Sequence, residues 1–424
     1  MASTFLTRTP SSAGNRKTFT ISAWVKRGTI SSANSQIIST GVYSSSQLFQ
    51  TFFESDDTLY ISDYTSGGSK SFQLSTNRKF RDTNAWYHIL FAVDTTQGTA
   101  SNRVKVYVNG VQETSFSEAT YPSQNFDCAF NLNQLHTIAN RNGTNFQFGG
   151  SMSYLASVDG TQELPTIFGE IDTTTGQWKI KTSITPSSGW GTNGFLILKD
   201  GNSVTDQSGQ GNNWTVGGGT LTKTEDNPSN VFATGNNLIG RHTNGTNLVP
   251  ALSNGNLTAL ADGSTWQIFK STLGASSGKY YAEFKWISDS NTRYAYVGIY
   301  DEDNYAEKAT GYPYMGDMAN GYGYYSESGD YWNNSSSTSF GSSFNSSGDG
   351  IQGVAMDLDN SKLYFSKNGV WQGSGDPSNG TGGISITANR TYTFGLQIYA
   401  VGSIKYSVNF GNGYFGTTAV SSAG

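Results

Sequence analysis

The stretch GYPYMGDMANGYGYYSESGDYWNN places Tyr312, Tyr314, Tyr322, Tyr324, Tyr325, Tyr331 and Trp332 within a short span. Aromatic faces stack on the apolar faces of sugar rings and phenol hydroxyls bond to sugar hydroxyls, so such a cluster suits recognition of a glycan or a protein surface. Tyr322 and Tyr324 alternate as on a strand and are expected to pack inward. Tyr312, Tyr314, Tyr325, Tyr331 and Trp332 are therefore the candidate ligand-binding residues. Catalytic chemistry is harder to find. Glycoside hydrolysis needs two carboxylates flanking the scissile bond, commonly as E-x-D-x-x-E on one strand face, and no such run exists. The densest acidic spots, Glu54-Ser55-Asp56-Asp57 and Asp301-Glu302-Asp303 with Glu307, read as solvated turns. The three histidines, His88, His136 and His242, lack zinc-ligand spacing, and His88, inside a strand pattern, reads as a hydrogen-bonded structural residue. No G-x-S-x-G elbow is present. No catalytic residue and no metal ligand is assigned, and the chain is not expected to be an enzyme.

The elements that must position these residues are strands. Charged residues make up 13% of the 424, well below ordinary usage, and the deficit is filled by Ser, Thr, Asn and 51 Gly. The 24 Tyr, 24 Phe and 9 Trp supply the bulk that fills the space between packed sheets. The run TFTISAWVKR puts Phe19, Ile21, Ala23 and Val25 on one face and Trp24 on the other, a strand with one buried face. WYHILFAVD follows as a second strand, and Trp24, Trp86 and Trp286 count as core. Asn109-Gly110 and Asn368-Gly369 supply the two positive-φ positions of type I′ hairpins. TQELPTIFGEID is the best short-helix candidate.

Length allows two or three domains, and two large β domains fit best. The fold class is all-β: two β-sandwich domains of jelly-roll type, over residues 1–215 and 241–424, joined by a Gly/Asn/Ser-rich connector over 216–240. Net charge is −5, and no Lys/Arg run could track a phosphate backbone, so nucleic acid is not an expected partner. The single cysteine, Cys128, is expected to be a buried small hydrophobe. The opening residues carry no apolar signal core and no stretch approaches the ~20 apolar residues of a membrane span, so neither secretion nor membrane insertion is expected.

In order and spacing, FTISAWVKR, WYHILFAVD, VKVYVNGVQ and FGGSMSYLASVDG resemble the concanavalin A-like superfamily in its laminin G-like form, over residues 3–160. That resemblance implies a two-sheet jelly roll that binds glycans or protein surfaces, in some members through calcium. No calcium-ligand pattern matches residue by residue; no cofactor is assigned, and calcium stays possible without a motif to support it. GKYYAEFKWI, YVGIYDED, GYGYYSESGDYWNN, GDGIQGVAMDLDNSKLYFSKNGVW and YSVNFG resemble a SPRY domain over residues 278–415. SPRY domains are non-catalytic recognition modules, so binding is implied and the ligand left open.

The phrases RTPSSAGNRKTFTISAWVKR, SGQGNNWT and EDNPSNVFAT, with a SPRY-like domain behind them, are similar to virion proteins of tailed phages of marine bacteria. This implies a tail fibre, knob or capsid surface protein, present in multiple copies on the virion. Its partners would be other virion proteins and a host surface glycan or envelope protein. The rival readings are a purely structural decoration protein without a host ligand, a non-viral cell-surface lectin or adhesin, and a polysaccharide depolymerase.

Overall fold

The run TFTISAWVKR forms the strand Thr18–Arg27, which pairs along its length with Trp86–Asp94 and with Gly150–Asp159. Phe19, Ile21 and Val25 are fully buried, as the alternation requires, and Phe19 meets Phe49 of a facing sheet edge-on at 5.8 Å. The expectation of one buried face is corrected, because every residue from Phe19 to Arg27 is buried. The second face is covered by the hairpin Gly169–Ile171 and Trp178–Ile180, whose Ile180 clusters with Trp24 and Trp86. The short-helix candidate contracts to one 3-10 turn, Pro165–Ile167, leading into that hairpin.

The computed structural model describes residues 4–412, 414, 415, 418 and 419, except 32, 144, 200–202, 239–248, 263–264, 288–293, 305–314, 345–349 and 400–403. The chain divides into two units, Met1–Val231 and Phe232–Gly424. In the first, a six-stranded sheet runs in the order Phe195–Ile197, Gly150–Asp159, Thr18–Arg27, Trp86–Asp94, Val104–Val108, Val111–Glu113. Against it lies an eight-stranded sheet in the order Phe116–Thr120, Lys70–Lys79, Thr58–Tyr64, Leu48–Phe53, Ser35–Thr40, His136–Ile138, Phe5–Arg8, Thr215–Gly218. The core between them includes Phe19, Phe49, Phe53, Phe72, Phe91 and the buried Cys128.

The boundary of the first unit differs from the expected one at 215. Thr215–Gly218 pairs with Phe5–Arg8 as an edge strand, and Asp226, nearly fully buried, takes a 2.7 Å ion pair from Lys26 and a 3.0 Å hydrogen bond from Trp86 Nε1. Glycines that read as linker are there for close approach: a Cβ at Gly217 or Gly218 would come within 2.4 or 2.5 Å of the Phe5 ring. The expected connector thus belongs to the first unit up to Val231.

The second unit again pairs two sheets. One runs Ala251–Ser253, Thr258–Ala261, Ile404–Asn409, Lys279–Trp286, Ile351–Asp357, Lys362–Lys367, Val370–Trp371, with Ile384–Ser385 also on Lys362–Lys367. The other runs Trp266–Ala275, Tyr392–Tyr399, Tyr294–Asp301, Tyr322–Tyr325, Asp330–Asn333, Ser336–Ser339. Every strand pairing among the described residues is antiparallel, and the two motif-rich runs GVAMDLD and KLYFSKNGVW form adjacent strands in register. Both Asn-Gly hairpins have the expected geometry, with φ of 48° and 81° at Asn109 and Gly110 and 48° and 79° at Asn368 and Gly369.

Candidate ligand-binding surface

On the strand Tyr294–Asp301, Ala295, Val297 and Ile299 enter the core of the second unit, so Tyr294 and Tyr296 face away from it. The same parity applies to the neighbouring strands. Phe394, Leu396 and Ile398 are core, which turns Gln397 and Tyr399 outward; Tyr322 and Tyr324 are core, which turns Gly323 and Tyr325 outward. Trp332, opposite Gly323, and Trp266, opposite Tyr399, complete a strip of six half-buried aromatic side chains across five strands. Tyr296 is its hub. Its ring stacks on Tyr325 at 4.6 Å, meets Trp266 at 5.5 Å and takes Trp332 edge-on at 6.2 Å. Tyr399 continues the strip through Trp266 at 5.4 Å and Tyr294 at 6.1 Å.

A glycine row fixes one border of this strip. Gly395, Gly298 and Gly323 stand opposite one another on three strands and leave a hollow in which Met315 seats. A Cβ at Gly298 would lie 3.0 Å from Met315 Sδ, and one at Gly395 2.9 Å from Met315 Cε. Two buried donors on the face, Trp332 Nε1 and Gln397 Nε2, have no partner among the described residues. Unpaired buried donors are rare and call for an explanation such as a bound ligand or water. The Tyr325 hydroxyl donates to Glu327 at 2.8 Å, and burial raises its pKa.

Of the five residues singled out from sequence, Tyr325 and Trp332 share this face. Tyr331 points the other way, onto Phe340 at 5.6 Å and the sandwich core, because it is paired with the inward-facing Tyr324. Tyr312 and Tyr314 lie outside the described residues. Tyr322 and Tyr324 are buried at 5% and 2% exposure, as their alternation implied. Sequence reasoning missed Trp266, Tyr294, Tyr296 and Tyr399. The alternation in YAYVGIY marked Tyr294 and Tyr296 as sharing a face, but which face met solvent depended on the partner sheet.

The groups considered for catalysis are built into the packing. His88 is sandwiched between Trp24 and Trp178, at 4.9 and 5.9 Å, and is fully buried. Trp178 Nε1 donates to His88 Nδ1 at 3.0 Å, so the ring proton sits on Nε2 and points to Ser22 Oγ at 2.9 Å. A catalytic base needs the reverse arrangement, a lone pair toward the serine and an acceptor behind the ring. Burial also pushes the His88 pKa down to about 3. The solvated-turn reading of the acidic spots is corrected for Asp57 and Asp301, both 0% exposed. Asp57 pairs with Arg27 at 3.0 Å and Arg81 at 2.9 Å, and Asp301 with Arg390 at 3.6 Å. Glu54 and Asp56 instead line an open polar recess of about 270 Å³ with Lys79 and Asn77. His242 and Glu307 lie outside the described residues. Among the described residues, no three His, Cys, Asp or Glu side chains are placed to hold a metal ion, and no helix is long and apolar enough to cross a membrane.

Residues 4–167 match the family model Laminin_G_3, of the concanavalin A-like lectin/glucanases superfamily. No curated protein matches the sequence. Among solved structures, stonustoxin is similar at 19% identity over 42% of this chain and 27% of that one, with a TM-score of 0.31. The SPRY domain of human HERC1 is similar at 17% identity over 37% of this chain and 90% of that one, with a TM-score of 0.28. The native heptameric SAP-like pentraxin from Limulus polyphemus is similar at 17% identity over 36% of this chain and 69% of that one, with a TM-score of 0.26. The family match thus lies on the first unit, over residues 4–167, and the second unit is a further β-sandwich of two antiparallel sheets.

Proposed function

We propose that this chain is a non-catalytic recognition protein that takes a host-surface glycan on the aromatic strip of its second unit. The observation that carries this reading is the strip itself, Trp266, Tyr399, Tyr294, Tyr296, Tyr325 and Trp332 on one sheet face, where Trp332 Nε1 and the neighbouring Gln397 Nε2 have no partner among the described residues. Stacking surfaces next to hydrogen-bond donors match the alternation of apolar faces and hydroxyl edges on a sugar. The concanavalin A-like lectin character of the first unit favours the same ligand class. The likeness of the N-terminal and connector phrases to virion proteins of marine tailed phages supports a place on the virion, in multiple copies. Arraying weak sites on one particle raises avidity by ~10² to 10⁴.

The ligand is tested by titrating the full chain with purified envelope polysaccharide of the source's bacterial host while following tryptophan fluorescence. Saturable quenching is expected, with Tyr296→Ala and Trp332→Ala each weakening binding roughly tenfold. Unchanged affinity in both folded variants would remove the strip from the reading. Release of new reducing ends from the polysaccharide would replace binding with depolymerisation. Immunogold labelling of purified particles tests the location: gold at fibre tips supports host recognition, an even shell coating supports a decoration role, and bare particles remove the virion.

A further inference from the structure

The outer face of the first unit's eight-stranded sheet carries a row of hydroxyl and amide side chains in register. Gln73 stands opposite Ser62, Ser62 opposite Gln50, Gln50 opposite Ser39, and Ser39 opposite Thr137. These groups bond to one another, Gln50 Nε2 donating to Ser62 Oγ at 3.3 Å and Ser39 Oγ meeting Thr137 Oγ1 at 2.8 Å. They are buried, at 0–6% exposure, and form a polar layer beneath the side chains that stand on this face.

Arg141 stands on this layer. Its Nη1 donates to Gln50 Oε1 at 3.3 Å, and its guanidinium lies over the Phe146 ring, 3.9 Å from the centroid. Among the described residues, the titratable side chains that face it are Tyr64, Tyr43 and Tyr60, and none is a carboxylate. An arginine offers five N–H donors, and the described residues take up one. Arg27 and Arg81, by contrast, both pair with the carboxylate of Asp57. The arm that holds Arg141 is braced: its backbone exchanges hydrogen bonds with Asn145 at 2.7 and 3.1 Å, and Phe146 packs on Phe52 at 5.3 Å. Ala139 and Phe146 adopt left-handed backbone, with φ of 66° and 56°, a conformation that costs side-chain-bearing residues energy and persists only where the surroundings impose it. Beside the cation, Tyr43 is 49% exposed and meets Tyr64 edge-on at 5.5 Å, while the Tyr64 hydroxyl bonds to that of Tyr60 at 2.9 Å.

We propose that this face is a second binding site, for an acidic polysaccharide, in which Arg141 clamps the anionic group of one sugar and Tyr43 and Tyr64 take neighbouring rings. Phenol rings beside a single cation that has no carboxylate partner among the described residues suit a sugar polymer whose anionic groups are spaced along it. The fork of a guanidinium fits a carboxylate or a sulfate in two parallel bonds. The site belongs to the first unit and stands whether or not the aromatic strip of the second binds a glycan.

The test is affinity electrophoresis of the full chain through gels containing polygalacturonate, dextran sulfate or neutral dextran. The chain carries a net charge of −5, so general attraction to a polyanion does not favour retardation. Retardation by polygalacturonate or dextran sulfate beyond that by dextran is expected, the stronger of the two naming carboxylate or sulfate as the anion. Arg141→Gln should weaken it about tenfold or more. Arg141→Lys, which keeps the charge but not the fork, should fall between. Tyr43→Ala should weaken it several-fold. Thermal unfolding within a few degrees of the wild type qualifies each variant, and if Arg141→Gln fails that standard, Arg141→Lys decides alone. Equal retardation by dextran, no retardation by either acidic polymer, or unaltered affinity in the qualified Arg141 variants overturns the site.

Discussion

Asp63 is a carboxyl group that folding has placed beyond the reach of water, at 1% exposure. Burial pushes its pKa up to about 7, against the opposing pull of the 2.6 Å hydrogen bond from the Ala129 amide and the charge of Arg16. An unfolded aspartate titrates near 4, so between about pH 4 and 7 the native state holds a proton that the unfolded state has released. This group therefore favours folding at the lower pH and withdraws that favour as pH rises through 7. Asp63→Asn should gain stability over the wild type by an amount that grows roughly 2–3 kcal/mol from pH 5 to pH 8, read from urea midpoints. A gain equal at both pH values would show that Asp63 is not protonated in the native state. His88 acts with the opposite sign. Its pKa is depressed to about 3, so its contribution is complete above the unfolded value near 6.5 and is lost as pH falls through 6.5 toward 3. The acid limb of stability over that window should be shallower in His88→Gln. Asp57 has φ of 76°, a backbone that Asn tolerates, so Asp57→Asn removes the charge without straining the turn. It leaves the Arg27 guanidinium, 1% exposed, without its counter-charge and should cost ~3 kcal/mol.

Among the elements, turns and close approaches separate what pattern shows from what packing adds. Asn109-Gly110 was legible as a hairpin because Asn-Gly supplies both positive-φ positions of the type I′ turn that joins strands two residues apart. Its further burden was not legible: a Cβ on Gly110 would lie 2.5 Å from the Trp178 ring, from a hairpin far along the chain. Gly110→Ala should therefore cost more than the ~1 kcal/mol of a left-handed alanine, and more than Gly369→Ala, where nothing lies within 4 Å. Chemical denaturation of the two variants compares them directly; equal costs would mean that Trp178 yields. On the sheet that carries the aromatic strip, Gly395→Ala would bring a Cβ 2.3 Å from the Tyr300 ring and push against Met315. A loss of roughly 1–3 kcal/mol is expected, with a shift in tryptophan emission as the border of the strip moves. A glycine row opposite a methionine has no period or turn signature, so neither feature could be read before the strands were paired.

For the whole molecule, each unit has a core of its own, one built on Phe19, Phe49 and Phe91 and the other on Phe284, Val354 and Leu396. Calorimetry of the full chain should resolve two transitions. Asp57→Asn should lower one of them, and Tyr324→Ala, which removes a buried ring of the second core, the other. A single transition lowered by both substitutions would mean that the units unfold as one. The two proposed ligand surfaces lie in different units, so variants at Tyr296 and Arg141 should affect different ligands and leave each other's affinity unchanged.

The amino-acid sequence by itself determined the all-β class, the strand faces that alternate cleanly, both Asn-Gly hairpins and the burial of Tyr322 and Tyr324, since each rests on a local rule of period two or positive φ. It also determined that Tyr325 and Trp332 belong to an aromatic-rich region. Only the tertiary structure decided which aromatic residues share a face, because Tyr331 and Trp332 differ by one position and parity sends them to opposite sides of the sheet. It alone carried the first unit through Thr215–Gly218 to Val231, buried Asp57 and Asp301, and set Arg141 among three tyrosines with no carboxylate among the described residues. The physical reason is common to all of these. Periodicity states that a side chain points to one of two sides, while its partners and its solvent depend on strands brought from elsewhere in the chain.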